Sequence, residues 1–403
     1  MAVAEIKAVA VSEGDVPTRE ELVARARALG PAIKERAQKS DEQRYLVKET
    51  IQEMKDAGLF RVLQPRRWGG YELDLSTFYE IQLVLAEYDM SVGWVYGVVG
   101  VHAWQLGIFD DRAAQDCWGE DSSVLIASSY MPSAKMTPVE GGFKVSGRWR
   151  FSSGCHHADW FFLGGLLPPD EEGLVRPGTI MFPKADIKIL DTWDVAGLKG
   201  TGSHDVVAED AFVPSYRIHR HIDGFRCSSP GNAVNTGWLY RVPFFQAFLR
   251  AVSTASIGAL QAMTNEFVNY GSGKVSAFGG KTAEDPTSQL IVGEALSAID
   301  EMKALLFRNM DTLRDYAERG EMPTIEERLR YKFQASEVAN RCALLGARLY
   351  RSSGGSGLFN EHPFARLLAN INAGRQHIVN QYEMYGSNYG ACVMGRENQD
   401  LAL

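Results

Sequence analysis

What this chain does not contain narrows it quickly. Its five cysteines, Cys117, Cys155, Cys227, Cys342 and Cys392, are scattered and odd in number, with no CxxC pair. That spacing excludes a disulfide framework or a zinc ribbon and leads us to expect a reduced, cytoplasmic protein. No apolar run reaches the roughly 18 residues that would cross a bilayer. The richest, SVGWVYGVVGVHAWQLGIF, carries a histidine and several glycines and reads as a buried helix. There is no basic stripe: 42 Lys and Arg face 50 Asp and Glu, a net charge of -8, which argues against a nucleic-acid surface. No HxxxH occurs. No GxGxxG joins a strand to a helix, so direct use of NAD(P)H is not expected. The N-terminal stretch, MAVAEIKAVAVSEGDVPTREE, lacks the basic start and apolar core of a signal peptide. Neither an internal repeat nor a low-complexity tract is present.

What is there falls into three blocks. Residues 18–121 repeat apolar positions at three- and four-residue spacing, the pattern of packed helices. Thr18 followed by Glu21 has the spacing of a capping box. Residues 122–235 switch to short β-rich runs separated by turn residues. Residues 236–403 are helical again, with two segments longer than ordinary helices, which suggests a four-helix bundle. The fold class expected is α+β: an N-terminal helical domain, a middle β-barrel or sandwich domain and a C-terminal bundle.

One stretch carries the chemical question: GRWRFSSGCHHADWFFLGG, Gly147 to Gly165. It starts and ends as strand. His156 and His157 are adjacent, so on a strand they would point to opposite faces, and no further ligand stands at a zinc-like spacing. No metal site is therefore expected. Cys155 has no implied partner, and Ser152-Ser153 lacks the GxSxG elbow of hydrolases. What remains is a backbone surface for a flat ligand. Small residues let the backbone come close, and hydroxyls can meet the polar edge of a ring.

The order GxWxFSSG after a helical block resembles the acyl-CoA dehydrogenase superfamily, where a strand reading GxKxWITN lines a flavin. On that pattern Phe151 falls on the Trp, Ser153 on the Thr and Gly154 on the Asn. DTWDVAGLKGTGSHDVVAEDAFVP, Asp191 to Pro214, resembles the second β signature of the same superfamily. Its WxxxGxxGTGSxDV form is similar to one branch, the oxygenase components of two-component flavin monooxygenases. That branch holds the p-hydroxyphenylacetate 3-hydroxylases and the steroid-pathway phenol hydroxylases. Lys274 to Pro286 and Gly93 to Trp104 look like the same branch, and the resemblance spans roughly Glu20 to Gly390. A dehydrogenase of this superfamily needs a carboxylate base late in the chain or on an earlier helix. In GRQHIVNQYEMYGSNYG, Glu383 is the one acid, and it lies outside that motif.

The resemblance implies a reduced flavin cofactor, FMNH2 or FADH2, delivered by a separate NAD(P)H-flavin reductase. With O2 as co-substrate it would form a flavin C4a-hydroperoxide and hydroxylate an aromatic substrate, with phenols as the leading class. Oxygenation of sulfur or nitrogen by the same machinery, a flavin dehydrogenase and a non-catalytic scaffold stand as alternatives. A homotetramer is implied as well. For site residues it implies His102, Ser153 and His377 in catalysis, with Trp94, His102, Ser128 and Ser129 toward the substrate. Toward the flavin it implies Phe151, Ser153, Trp193, Thr201, Ser203, Arg250 and Lys274. A charge such as Arg250 inside an apolar run must pair or meet a ligand. The chain departs from the branch at PFARLLAN, Pro363 to Asn370: Arg366 remains, but an Arg-Asp pair has become Ala369-Asn370. His156 and His157 receive no role.

Overall fold

The computed structural model describes residues 10–169, 173–275, 279–400 and 402–403. Residues 1–9 of the N-terminal stretch and 276–278 of the Lys274 to Pro286 motif lie outside them.

The first block opens with α1 (Arg19–Gln43), which starts on the expected capping box: Thr18 Oγ1 accepts from Glu21 N at 3.2 Å, and Thr18 N donates to Glu21 Oε2 at 2.8 Å. α2 (Lys48–Asp56), α3 (Leu75–Tyr88), α4 (Met90–Ile108) and α5 (Asp111–Trp118) follow. In α4 every residue except Ala103 is buried, so this helix is the axle of the molecule. Gly93 and Gly97 let α3 press against it, since a Cβ at Gly97 would stand 2.0 Å from Gln82 Nε2. Burial of each large side chain such as Trp104 or Tyr96 contributes on the order of 1.5–3 kcal/mol.

The strands β1 (Ile126–Val139), β2 (Gly142–Ser152), β3 (Trp160–Leu166), β4 (Pro177–Pro183), β5 (Lys188–Leu190), β6 (His204–Pro214) and β7 (Ile218–Arg220) form one sheet in the order β5-β6-β2-β1-β3-β4-β7. The long β1 is shared. Its first part runs parallel to β3, pairing Ile126 with Trp160, and its second part runs antiparallel to β2, pairing Val139 with Gly142. The pairing with β3 has an irregularity between Ser129 and Ala134, and the pairing with β2 begins at Lys135. The sheet therefore folds over its own core of Val145, Trp149, Phe161, Leu163, Phe182 and Val206, and Trp149 Nε1 donates across it to Gly164 O at 2.8 Å.

The middle block ends with the short α6 (His221–Phe225), and the last holds α7 (Phe244–Phe248), α8 (Thr254–Gly273), α9 (Pro286–Glu318), α10 (Ile325–Ser336), α11 (Val338–Ser353), α12 (Phe364–Arg375) and α13 (Tyr382–Val393). Helices α8, α9, α11 and α12 pack together as the bundle, and α10 pairs with α13 beside it. Two segments that read as single helices are broken. A 3-10 turn at Leu249–Val252 separates α7 from α8, and Glu337 separates α10 from α11. Periodicity continues through both breaks, which is why the pattern alone does not reveal them.

Candidate functional site

The stretch from Gly147 to Gly165 becomes a strand, a turn and a strand. β2 ends at Ser152, and Phe151 already sits in the left-handed region at φ +65°. A bulky residue is uncommon there. Phe151 is half exposed, and its ring meets Trp193 edge-on at 6.2 Å between centroids. Gly154, φ +73°, then packs onto α4: a Cβ there would stand 3.0 Å from Val99 Cγ2. His156 and His157 do not lie on a strand. Gly154 turns the chain into a 3-10 turn at Cys155–His157, so both rings face Tyr45, at 4.5 and 6.2 Å, rather than opposite sides. Among the described residues no group of three His, Cys, Asp or Glu stands close enough to hold a metal.

Beside this turn lies the glycine-rich turn Leu198–Ser203, with Leu198 and Gly202 both at φ +55°. Gly154 N donates to Thr201 O at 2.9 Å and locks the two turns together. Their hydroxyls form a ladder. Thr201 Oγ1 donates to Leu198 O at 2.8 Å, Thr201 and Ser203 share a 2.7 Å bond, Ser203 and Ser153 share another of 2.7 Å, and Trp94 Nε1 donates to Ser153 at 3.2 Å. A carbonyl can only accept, so the direction of the ladder is set from the Leu198 end. Thr201 spends its proton on Leu198, Ser203 on Thr201 and Ser153 on Ser203. Ser153 is left with one free lone pair and no free proton.

Two anchors that the motifs did not mark hold this turn. Asn370 Oδ1 accepts from Leu198 N at 2.7 Å, so the residue that departs from the branch pattern supports the turn directly. Arg366 donates to Asp41 at 2.6 Å and to Asp89 at 2.5 Å. Asp41 in turn accepts from Gly200 N at 3.2 Å, and Asp89 caps α4 through Ser91 N. The paired carboxylates hold the Arg366 guanidinium above its ordinary range despite its burial.

The two candidate histidines have opposite polarity. His102 is fully buried, and its Nδ1 lies 2.6 Å from Ile126 O, so Nδ1 carries the proton and Nε2 is a bare acceptor without a partner among the described residues. Tyr130, Phe162 and Phe248 surround it at 5.5–6.2 Å, and burial pushes it down to about 4. His377 Nδ1 accepts from Val379 N at 3.2 Å, so its Nε2 carries the proton and can serve as a donor. Its ring meets Trp94 edge-on at 5.7 Å, and desolvation pushes it down to about 4.

The remaining candidates divide. Ser129 Oγ is spent on Arg150 O at 2.6 Å, whereas Ser128 bonds the Tyr130 hydroxyl. Trp193 Nε1 donates to Leu198 O at 3.0 Å. Arg250 is 2% exposed, and both terminal guanidinium nitrogens lack a partner among the described residues. Among the described residues no salt bridge satisfies it, and burial lowers it to about 10. Lys274 is engaged within its own chain by the Tyr270 hydroxyl and Ser353 O, away from the ladder's partners. Glu383 is exposed on α13.

A second polar chain was missed in the sequence. Tyr130 donates to Gln105, Gln105 Nε2 to Thr179 Oγ1 at 3.2 Å, and Thr179 bonds His221 Nε2 at 2.8 Å. Its available signals were Tyr130, which directly follows Ser128-Ser129, and the paired histidines of RIHRHID. Burial lowers His219 to about 3 and His221 to about 4.

Comparison with known proteins gives the family of the chain. Residues 17–113 match the acyl-CoA dehydrogenase N-terminal domain, and residues 251–382 match its C-terminal domain. A curated relative, the flavin-dependent monooxygenase oxygenase subunit HsaA of Rhodococcus jostii, is 35% identical over 89% of this chain and 96% of its own. The oxygenase component of an FADH2-dependent resorcinol hydroxylase from a Rhizobium species is 29% identical over 93% of this chain and 94% of its own. The crystal structure of the HsaA monooxygenase from Mycobacterium tuberculosis superposes with a TM-score of 0.91 at 33% identity, covering 96% of this chain and 100% of that one.

Proposed function

The chain belongs to the flavin-dependent monooxygenase oxygenase subunits, which share the acyl-CoA dehydrogenase fold, and from that membership we propose that it hydroxylates a phenolic ring using reduced flavin from a separate reductase. The observation that carries this reading is the polarity of the hydroxyl ladder. Reduced flavin bears a proton on N5, and oxidised flavin does not. Ser153, with a lone pair to offer and no proton, suits the reduced form. The residues present also fit the rest of a flavin: the exposed faces of Phe151 and Trp193 suit a flat ring, and the buried, unpartnered Arg250 suits an electron-rich edge. Lys274 we leave to a structural role at the end of α8. FADH2 is the proposed form, because a relative of similar length is named for it.

When bound, the reduced flavin activates O2 and supplies the oxygen atom. The chain's own residues do the rest. His102 accepts the phenol O–H at Nε2, which raises electron density at the ring carbons beside it. Ser128, held by Tyr130, gives that hydroxyl a second polar neighbour. His377 supplies a donor on the Trp94 side, and the apolar walls keep water from the reaction. Oxygenation of sulfur or nitrogen would not need the His102 acceptor.

The test is stopped-flow absorbance: anaerobic protein with reduced FAD, or separately reduced FMN, mixed with oxygenated buffer and a panel of phenols. A delay before oxidised flavin appears, shortened by a phenol that is hydroxylated, is expected. Immediate oxidation with both flavins would overturn the reading. We also propose self-association into a tetramer. The exposed apolar side chains of Leu358, Phe359, Ile378, Met384, Val393 and Met394 support a contact between copies, which light scattering would measure. Among the described residues no helix is long and apolar enough to cross a membrane.

A further inference from the structure

A cleft opens on the face of the molecule formed by α2, the loop after it, α4 and the start of β1. Its outer part is polar, with a volume of about 460 Å³, and is lined by Gln52, Lys55, Asp56, Arg61, Tyr71 and Ser123. Lys55 and Arg61 are offset there by Asp56 and the nearby Asp121, whose carboxyl they help hold below its ordinary range after its bonds to Ser123. Adjoining it, and sharing Lys55, Arg61 and Ser123 with it, is a smaller space of about 30 Å³ walled by Phe60, Val99, Gly100, Ala103, Leu125 and Ile126. That leaves space for roughly one or two water-sized molecules. Gln64 also lines this part, but its Nε2 is already spent on Trp68 O at 2.8 Å and Ser122 O at 2.9 Å. Lys55, Arg61, Ser122 and Ser123 line it as well; Lys55, Arg61 and Ser123 are shared with the outer part, so the polar lining lies toward the mouth and the end at Val99, Ala103 and Ile126 is apolar.

Where the lumen ends matters. Ile126 is the residue whose carbonyl fixes the His102 tautomer. Val99 Cγ2 lies against Gly154, the residue after Ser153. The passage thus ends at residues that neighbour both groups the proposed reaction uses. A flavin or an aromatic ring is too large for that space, and its inner end offers an ion only apolar side chains. A small apolar molecule fits. We propose that this lumen is the entry path for dioxygen, separate from the path of flavin and aromatic substrate, with Val99 as its inner gate and Ala103 as its narrowest replaceable wall. The assignment rests on the oxygenase reading above, because that reading supplies the dioxygen. Separate entry lets O2 reach the site while flavin and substrate close it to water.

Crystals of the flavin-free protein under xenon pressure test the lumen by itself, since dry apolar cavities take up xenon. The expected result is an anomalous peak between Gly100, Ala103 and Leu125 that disappears in Ala103→Phe. An empty lumen in the unsubstituted protein would overturn the proposal whether or not a variant folds. In stopped flow, Ala103→Phe should bind reduced flavin as the parent does. Its second-order reaction with O2 should fall on the order of tenfold, as when entry becomes the slow step. Ala103→Leu serves if the larger residue does not fold. An unchanged O2 rate in a variant that has lost the xenon peak would overturn the path. Xenon in the lumen of a protein that binds no reduced flavin would instead overturn the oxygenase reading, and the dioxygen assignment with it.

Discussion

Replacing Ser203 with alanine should blunt the protein's ability to tell reduced flavin from oxidised flavin. In the parent, Ser153 gives its proton to Ser203 because Thr201 and Leu198 fix the direction of the ladder. Ser203→Ala frees that proton. Ser153 can then donate to the unprotonated N5 of oxidised flavin while still accepting from the reduced form. A neutral hydrogen bond contributes a net of about 0.5–1.5 kcal/mol. The affinity for oxidised flavin should therefore rise about two- to twelvefold, with affinity for reduced flavin little changed. Ser153→Ala should do the converse: it weakens reduced flavin by a similar factor and leaves oxidised flavin alone. The assay is a pair of titrations, aerobic with oxidised FAD and anaerobic with reduced FAD, on parent and both variants. Thr201→Val, which removes the fixed end of the ladder, should resemble Ser203→Ala. If Ser203→Ala leaves the ratio of the two affinities unchanged, ladder polarity does not set the preference and the argument fails.

Three other outcomes follow from the same geometry. His102→Gln should lower phenol hydroxylation on the order of 10²–10⁴-fold without changing reduced-flavin affinity; retained turnover would move the reading toward sulfur or nitrogen oxygenation. His102, His219 and His221 are buried neutral and pushed below 6.5 to about 4, 3 and 4, so the unfolded chain binds more protons as pH falls through 6.5. Their contribution is full above pH 6.5 and should fall by about 2 kcal/mol each by pH 5, read as a steep drop in Tm between pH 7.5 and 5; a flat Tm over that interval would refute it. Arg366→Ala strands two carboxylates, one of them fully buried, and should cost about 3–5 kcal/mol; thermal melts and flavin binding should fail together, and loss of either alone would contradict the shared anchor.

Much of this is legible in the sequence. The helix–strand–helix order, the buried character of α4 and the capping box at Thr18 follow from local pattern, and local pattern is what helices and strands mainly obey. Ser153, Thr201 and Ser203 were marked one by one from motifs, and the structure brings all three into one ladder. Its direction was not legible, because it depends on the Leu198 carbonyl and on a left-handed backbone that no residue type announces. Tyr130, Gln105, Thr179 and His221 come from four separate elements, so no spacing along the chain links them. Asn370 read as a departure from a family pattern and is in fact the hydrogen-bond acceptor for Leu198 N. The histidine pair at 156 and 157 went the other way. Alternation along a strand predicted opposite faces, and one glycine at φ +73° replaced the strand with a turn.

The Arg366 cluster also bears on how this protein can change. Asp41, Asp89 and Arg366 come from α1, the head of α4 and α12, and one guanidinium joins all three to the glycine-rich turn. Loss of Arg366 strands both carboxylates, whereas loss of either aspartate still leaves Arg366 a partner, so in a mutagenesis library Arg366 should be the least replaceable of the three. The walls around His102 carry no such bond. Phe162 and Phe248 contribute shape alone and can drift one at a time. A breeder of new substrate ranges should therefore leave the first group untouched and randomise the second.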